Sequence, residues 1–140
     1  MTEQVVLAVD TSVAIPLLVA SHPEHQEVIA WASHRTLTLS GHAFVETYAV
    51  LTRLPGDARV SATDAVRLIK ENFVAPLTLS GELATTVPAI LAESGVAGGA
   101  TYDGLVALAA LEHRATLVTR DARARSTYEA LNVEVRILAI

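Results

Sequence analysis

Four acidic residues of this 140-residue chain stand where chemistry could use them: Asp10, Glu46, Asp103 and Asp121. Each is an isolated carboxylate set into apolar sequence, in Val9-Asp10-Thr11-Ser12, Phe44-Val45-Glu46-Thr47, Tyr102-Asp103-Gly104-Leu105 and Leu117-Val118-Thr119-Arg120-Asp121. Carboxylates brought together raise one another's pKa and resist burial. A hard divalent cation removes that conflict, and the chain has no cysteine to offer a softer ligand. Oxygen-only donors favour Mg²⁺ or Mn²⁺ over zinc. A water retained by such an ion can become a nucleophile, and two ions can also stabilise the leaving oxygen of a phosphodiester.

For the four to meet, their elements must end at one edge of the fold. Residues 5–9 are a continuous apolar run closed by Asp10-Thr11-Ser12, the pattern of a buried parallel strand. Ser12 is expected to cap a short helix through about residue 19, with Pro16 in or near its first turn. Pro23 opens a second helix over 24–33, residues 36–39 alternate as a short strand, and a helix over 42–53 is stopped by Pro55-Gly56. Ser61-Ala62-Thr63-Asp64 starts a helix to about residue 73, and residues 76–79 read as a weak strand. A helix is expected over 81–93, with Pro88 kinking it or marking a later start. After a glycine-containing loop at 95–99 come a helix over 102–114, a strand over 116–119, a helix over 122–131 and a last strand over 133–138.

Strands separated by helices imply a parallel sheet. The expectation is one three-layer α/β/α domain over residues 1–140, with no linker or internal repeat. In such a sheet each following helix begins at the carboxyl edge. Asp10 ends the first strand, Asp121 lies just past the strand that closes at Thr119, and Asp103 lies in the first turn of the helix feeding that strand. Glu46 is about one turn into its helix, roughly 6 Å from the start at a rise of 1.5 Å per residue. If the first strand neighbours the one ending at Thr119, all four surround a topological switch point, the usual ligand crevice of such sheets.

Each acid has a purely structural alternative. Asp10 and Asp121 could cap the helices that follow them, Asp103 could complement a helix dipole, and Glu46 could pair with His42 at i, i+4. Their joint placement favours a site. Arg120, Arg123 and Arg125 read as a phosphate-binding patch or as a solvated turn. His22 and His25 have a loose H-x-x-H spacing without the further ligands zinc requires. Gly95, Gly98 and Gly99 are not followed by the Lys-Ser/Thr of a phosphate loop and read as a tight turn.

Composition bounds the rest. Hydrophobic residues are 51% of the chain and aromatics only 4%, so the core must be built from Leu, Val, Ile and Ala. The net charge of −5 argues against a protein that coats nucleic acid, although four of the acids would be absorbed by one metal site. Lys70 is the only lysine. No apolar run approaches the roughly 18 residues of a membrane helix. The opening Met1-Thr2-Glu3-Gln4-Val5-Val6 lacks a basic segment and a cleavage site. A cytoplasmic protein without membrane association is expected.

Taken in order, the Asp10, Glu46, Asp103 and Thr119-Arg120-Asp121 segments resemble a PIN domain, and most closely the VapC toxins of bacterial VapBC toxin–antitoxin pairs. The resemblance covers essentially the whole chain. It implies a five-stranded parallel sheet ordered 3-2-1-4-5, Mg²⁺- or Mn²⁺-dependent RNA cleavage, inhibition by a cognate VapB-like antitoxin, and a homodimer. It assigns the acidic residues of the family to Asp10, Glu46, Asp103 and Asp121, and its conserved hydroxyl to Thr119. Many relatives carry another acid or an aromatic two or three positions after the fourth acid, where this chain has Arg123 and Ala124. Two other readings are a receiver-like Mg²⁺-binding signalling domain, which wants a lysine at the end of its last strand, and a catalytically inactive PIN-like binding module.

Overall fold

The computed structural model of the chain describes residues 5–139. Residues 1–4, on which the expectation of no secretory leader partly rests, lie outside them. A parallel sheet forms around β1 (Val6–Val9), which pairs on one side with β2 (Thr36–Leu39) and on the other with β3 (Leu117–Thr119). β4 (Val135–Ile137) lies beyond β3, giving the order β2-β1-β3-β4. Leu39, Val9 and Val118 align across the sheet, so β1 and β2 end level and β3 runs one residue further.

The sheet has four strands rather than the expected five. The segment at 76–79 keeps its place beside β2 but is reduced to one parallel bridge, Ser40 with Leu77. The cause is local. Pro76 has no N–H to donate, and the carbonyl of Ala75 accepts instead from the Thr38 hydroxyl at 2.7 Å. Leu77 makes both bridging bonds, from its N–H to Leu39 O at 3.0 Å and from Gly41 N–H to its carbonyl at 2.8 Å. Ser80 then caps the next helix and ends the extended run.

The three-layer α/β/α class holds, with helices filling every connection. They are α1 (Thr11–Leu18), α2 (His25–Ala32), α3 (His42–Thr52), α4 (Ala62–Asn72), α5 (Gly81–Ala84), α6 (Val87–Glu93), α7 (Thr101–Glu112) and α8 (Ala122–Ala130). The helix expected over 81–93 is two helices, and Pro88 stands in the first turn of the second, where its missing N–H costs nothing, whereas Pro16 is accommodated inside α1. The cap of α1 is Asp10, two residues earlier than the expected Ser12. Among the described residues, no helix is long and apolar enough to cross a membrane.

α7 is the element that brings the layers together. Gly104 and Val106 through Ala110 are all buried, so this helix has no polar face along its middle. A helix apolar all round belongs in a core, and its Val106 carbonyl accepts from the buried Ser40 hydroxyl at 2.8 Å. Its small residues let α3 approach closely. Gly41, at the start of α3, has φ +54°, and a Cβ there would stand 2.5 Å from the Leu105 carbonyl oxygen. Glycine at this position sets how near the helix of Glu46 lies to the helix of Asp103.

Candidate active site

Asp10 closes β1 and caps α1, and it is only 6% exposed. A buried carboxylate must be hydrogen-bonded, and three donors meet it. Oδ1 accepts from the Ser12 N–H at 3.1 Å and the Ser12 hydroxyl at 2.5 Å, and Oδ2 accepts from the Tyr128 hydroxyl at 2.7 Å. Ser12 Oγ also lies 3.2 Å from Thr119 Oγ1 and accepts from the Arg120 N–H at 2.8 Å. Thr119 Oγ1 in turn accepts from the Asp121 N–H at 3.0 Å. One chain of hydroxyls thus joins the carboxyl ends of β1 and β3.

Asp121 caps α8 through the Arg123 N–H at 2.9 Å, Asp103 sits in the first turn of α7, and Glu46 lies one turn into α3. All four carboxylates line a single cleft of about 390 Å³, with Thr11, Ser12, His22, Arg120 and Tyr128 on its walls. A larger cleft of about 580 Å³, between Ser80, Ile90, Leu111 and Asn132, holds none of them. The structural alternatives for these acids are also realised: Asp10 and Asp121 do cap helices, and His42 Nε2 lies 3.5 Å from Glu46. Capping does not remove them from the cleft, since a capping carboxylate keeps lone pairs to spare.

The electrostatics follow from crowding. Burial pushes the pKa of Asp10 up, against the opposing pull of the hydroxyls of Ser12, Thr119 and Tyr128 and the Ser12 N–H. Asp103 is also pushed up, first by burial and then by the charges of Asp10, Asp121 and Glu46. Tyr128 is raised far above its ordinary value by burial and by the charge of Asp10, so it stays a neutral donor.

A divalent cation fits this donor set: four oxygen-bearing acids share one cleft, and their mutual repulsion is what such an ion relieves. Thr11 is a wall residue of the cleft, and its Oγ1 is buried without a hydrogen-bond partner among the described residues. No group of three His, Asp or Glu side chains among the described residues is already gathered for direct ligation of one ion. Mg²⁺, which keeps several of its waters, suits a set of that kind.

The three arginines separate. Arg120 lies on the cleft wall, its guanidinium donating to Ser12 O at 3.3 Å and standing 3.8 Å from Glu24. Arg123 is 95% exposed, 3.6 Å from Asp121. Arg125 is tied to Glu129 one turn along α8 and takes no part in lining the cleft. His22 reaches the cleft while His25 bonds the Pro16 carbonyl, so the H-x-x-H pair is divided. Ser12 and Tyr128 are participants that sequence reasoning missed. Ser12 was legible only as a cap, and Tyr128 is seven residues from Asp121 in a polar stretch with no pattern pointing back to Asp10.

A model of the PIN domain matches residues 7–130 of the chain. The chain belongs to the PIN domain family. This PIN domain is 58% identical over 133 residues to Ribonuclease VapC27 of Mycobacterium tuberculosis, covering 95% of the chain and 97% of that protein. It is 41% identical over 138 residues to Ribonuclease VapC40 of the same species, covering 94% and 98%. Its fold is similar to that of VapBC2 from Rickettsia felis, solved bound to a DNA fragment from their promoter, with a TM-score of 0.65 at 14% identity over 96% of this chain and 99% of that one. The order of strands around β1 is the one the family resemblance implied, with the outermost strand of the PIN sheet pared to its bridge.

Proposed function

We propose that this PIN domain is a Mg²⁺- or Mn²⁺-dependent endoribonuclease and the toxin of a VapBC-type pair. The observation that carries the reading is the convergence of Asp10, Glu46, Asp103 and Asp121 on one cleft, in a chain 58% identical to a ribonuclease. The four carboxylates would hold the metal. When bound, the ion supplies an activated water and neutralises charge on the phosphodiester. The chain's own residues set the frame. Ser12 and Thr119 lock the strand ends that carry Asp10 and Asp121, and Tyr128 and Ser12 fix the Asp10 carboxylate. Ile15, Pro16 and Val106 form the apolar part of the wall. A receiver-like reading lacks its lysine, since Lys70 lies within α4.

The test is cleavage of RNA by the pure protein. Activity is expected with Mg²⁺ or Mn²⁺ and none after EDTA, with recovery when the metal is restored. Undiminished cleavage in EDTA would overturn the metal reading.

Arg120 is the arginine that lines the cleft and would hold an RNA phosphate beside the acids, with Arg123 exposed next to Asp121. Replacing Arg120 with Ala is expected to lower the salt dependence of RNA binding by about one unit of slope, as for the loss of one phosphate contact. The same change at Arg125, engaged by Glu129, is expected to leave the slope within error. Filter binding of a catalytically dead protein across a salt series measures both, and equal slopes for the two variants would remove Arg120 from the RNA path.

The antitoxin partner of this reading needs an apolar seat and a way into the acids. A groove between α1, α2 and α4, lined by Leu17, Leu18, Ile29, Ala32 and Leu68, offers the seat next to the N-terminal helices. A guanidinium reaching into the cleft would replace the metal by charge-assisted bonds. Association of two copies of the chain belongs to the same reading and is checked by its mass in solution.

A further inference from the structure

Tyr128 combines two features that ordinary packing does not require. It is 1% exposed, a place where a phenylalanine would fill the same space without bringing a polar atom out of water. Its hydroxyl is spent on a single partner, Asp10 Oδ2, at 2.7 Å. The division of bonds on that carboxylate is uneven. Oδ1 accepts two, both from Ser12, whereas Oδ2 accepts the one from Tyr128. Rotation of the carboxylate about its own axis would exchange these roles, and the Tyr128 bond opposes it. The same helix carries Asp121 as its cap. α8 therefore presents one acid at its start and grips another two turns later, coupling the β1–α1 junction to the β3–α8 junction.

We infer that Tyr128 is a positioning residue for the proposed reaction, holding Asp10 so that Oδ2 is the oxygen available to a divalent cation. The inference rests on the metal-dependent reading of the cleft. Partners of this kind, one bond removed from the ion, typically change metal affinity or activity about 10–100-fold when lost.

The test is Tyr128→Phe, which keeps the ring and removes the hydroxyl. Calorimetric titration with Mn²⁺ alone, in the absence of RNA, is expected to show affinity reduced by about 10–100-fold. Cleavage at limiting Mn²⁺ is expected to fall by a similar factor and to recover as Mn²⁺ is raised, with KM for RNA unchanged. A purely structural hydroxyl would lower the melting temperature and leave these metal-dependent readouts alone, and that result would overturn the inference. A second measurement needs no variant. In the wild-type protein the NMR signals of the Tyr128 ring are expected to move on titration with Mg²⁺, while those of Tyr48, outside the cleft, stay in place. A Tyr128 ring that does not respond at saturating Mg²⁺ would overturn the inference even if the Phe variant fails to fold. Wild-type protein that binds no Mn²⁺ would overturn the metal reading along with it, whereas tight and equal binding by wild type and variant would dismiss Tyr128 alone.

Discussion

Asp10→Asn is expected to abolish RNA cleavage while making the metal-free protein more stable. The loss should exceed the roughly 100-fold upper range for residues one bond away from a metal, because here a carboxylate oxygen of the proposed ligand set is removed. The gain in stability has an electrostatic origin. Asp10 is buried, and its ionised form is held at a cost that burial imposes and that neighbouring acids share. With its folded pKa raised above the ordinary value, the folded state binds the proton more tightly than the unfolded chain. Stability of the metal-free protein therefore rises as pH falls from the raised folded pKa of Asp10 toward the unfolded value of 3.8, and is lost as pH rises through the same window. Asp103 contributes in the same direction. Asparagine cannot titrate, so the variant should show a weaker dependence on pH across that window, and the Asp103 contribution should shrink as well because the charge of Asp10 is one of its causes. The metal reverses the sign for the wild-type protein, since it favours the ionised acids, and its stabilising effect should shrink as pH falls. Thermal melts with EDTA or Mg²⁺ over a pH series measure each part. A folded Asp10→Asn protein with unchanged cleavage would remove Asp10 from the chemistry, and an unchanged pH profile would show that its burial is not felt.

Gly41→Ala is expected to cost about 2–6 kcal/mol of stability. Two causes add. The backbone at Gly41, with φ +54°, is of a kind that costs a residue with Cβ about 1–3 kcal/mol. The added Cβ would also stand 2.5 Å from the Leu105 carbonyl oxygen and 3.1 Å from Ala109 Cβ, and overpacking of this sort costs about another 1–3 kcal/mol. The backbone of α7 cannot swing aside as a side-chain tip would. Against a total stability of about 5–15 kcal/mol for a domain, such a loss takes up a large share of the margin, and part of it can be relieved by forcing α3 away from α7. In that case Glu46 moves relative to Asp103, and activity falls in the fraction that still folds. Urea denaturation compares the two proteins. A difference under about 1 kcal/mol would show that the helices separate at little cost and that Gly41 does not set their spacing.

The alternation of apolar segments and helix-breaking residues, read without any coordinates, was enough for the class of fold. Residues 5–9, 36–39 and 116–119 announce strands by continuous or alternating apolar character, and α7 announces itself by length. Parallel strands force the following helices to start at one edge, so the edge on which Asp10, Glu46, Asp103 and Asp121 lie was also legible. Two outcomes turned on prolines visible in the sequence, one against the expected strand at 76–79 and one along the alternative already open at Pro88. Pro76 removes a donor and reduces a strand to a bridge, and Pro88 divides a helix.

What only the tertiary structure decided is the set of contacts between residues far apart in the chain. The Tyr128 hydroxyl and Asp10 are separated by 118 positions, and Ser12 and Thr119 by 107. Periodicity reports which face of an element is apolar, but it is silent on which side chain from another element will meet a given polar atom. Likewise a glycine before α3 reads locally as a turn, and only the closeness of Leu105 shows that it governs the approach of two helices. The arginine patch was resolved by the same kind of fact. Three neighbouring residues with one chemistry took three environments, Arg120 in the cleft, Arg123 in solvent and Arg125 against Glu129, because a helix start turns successive side chains in different directions.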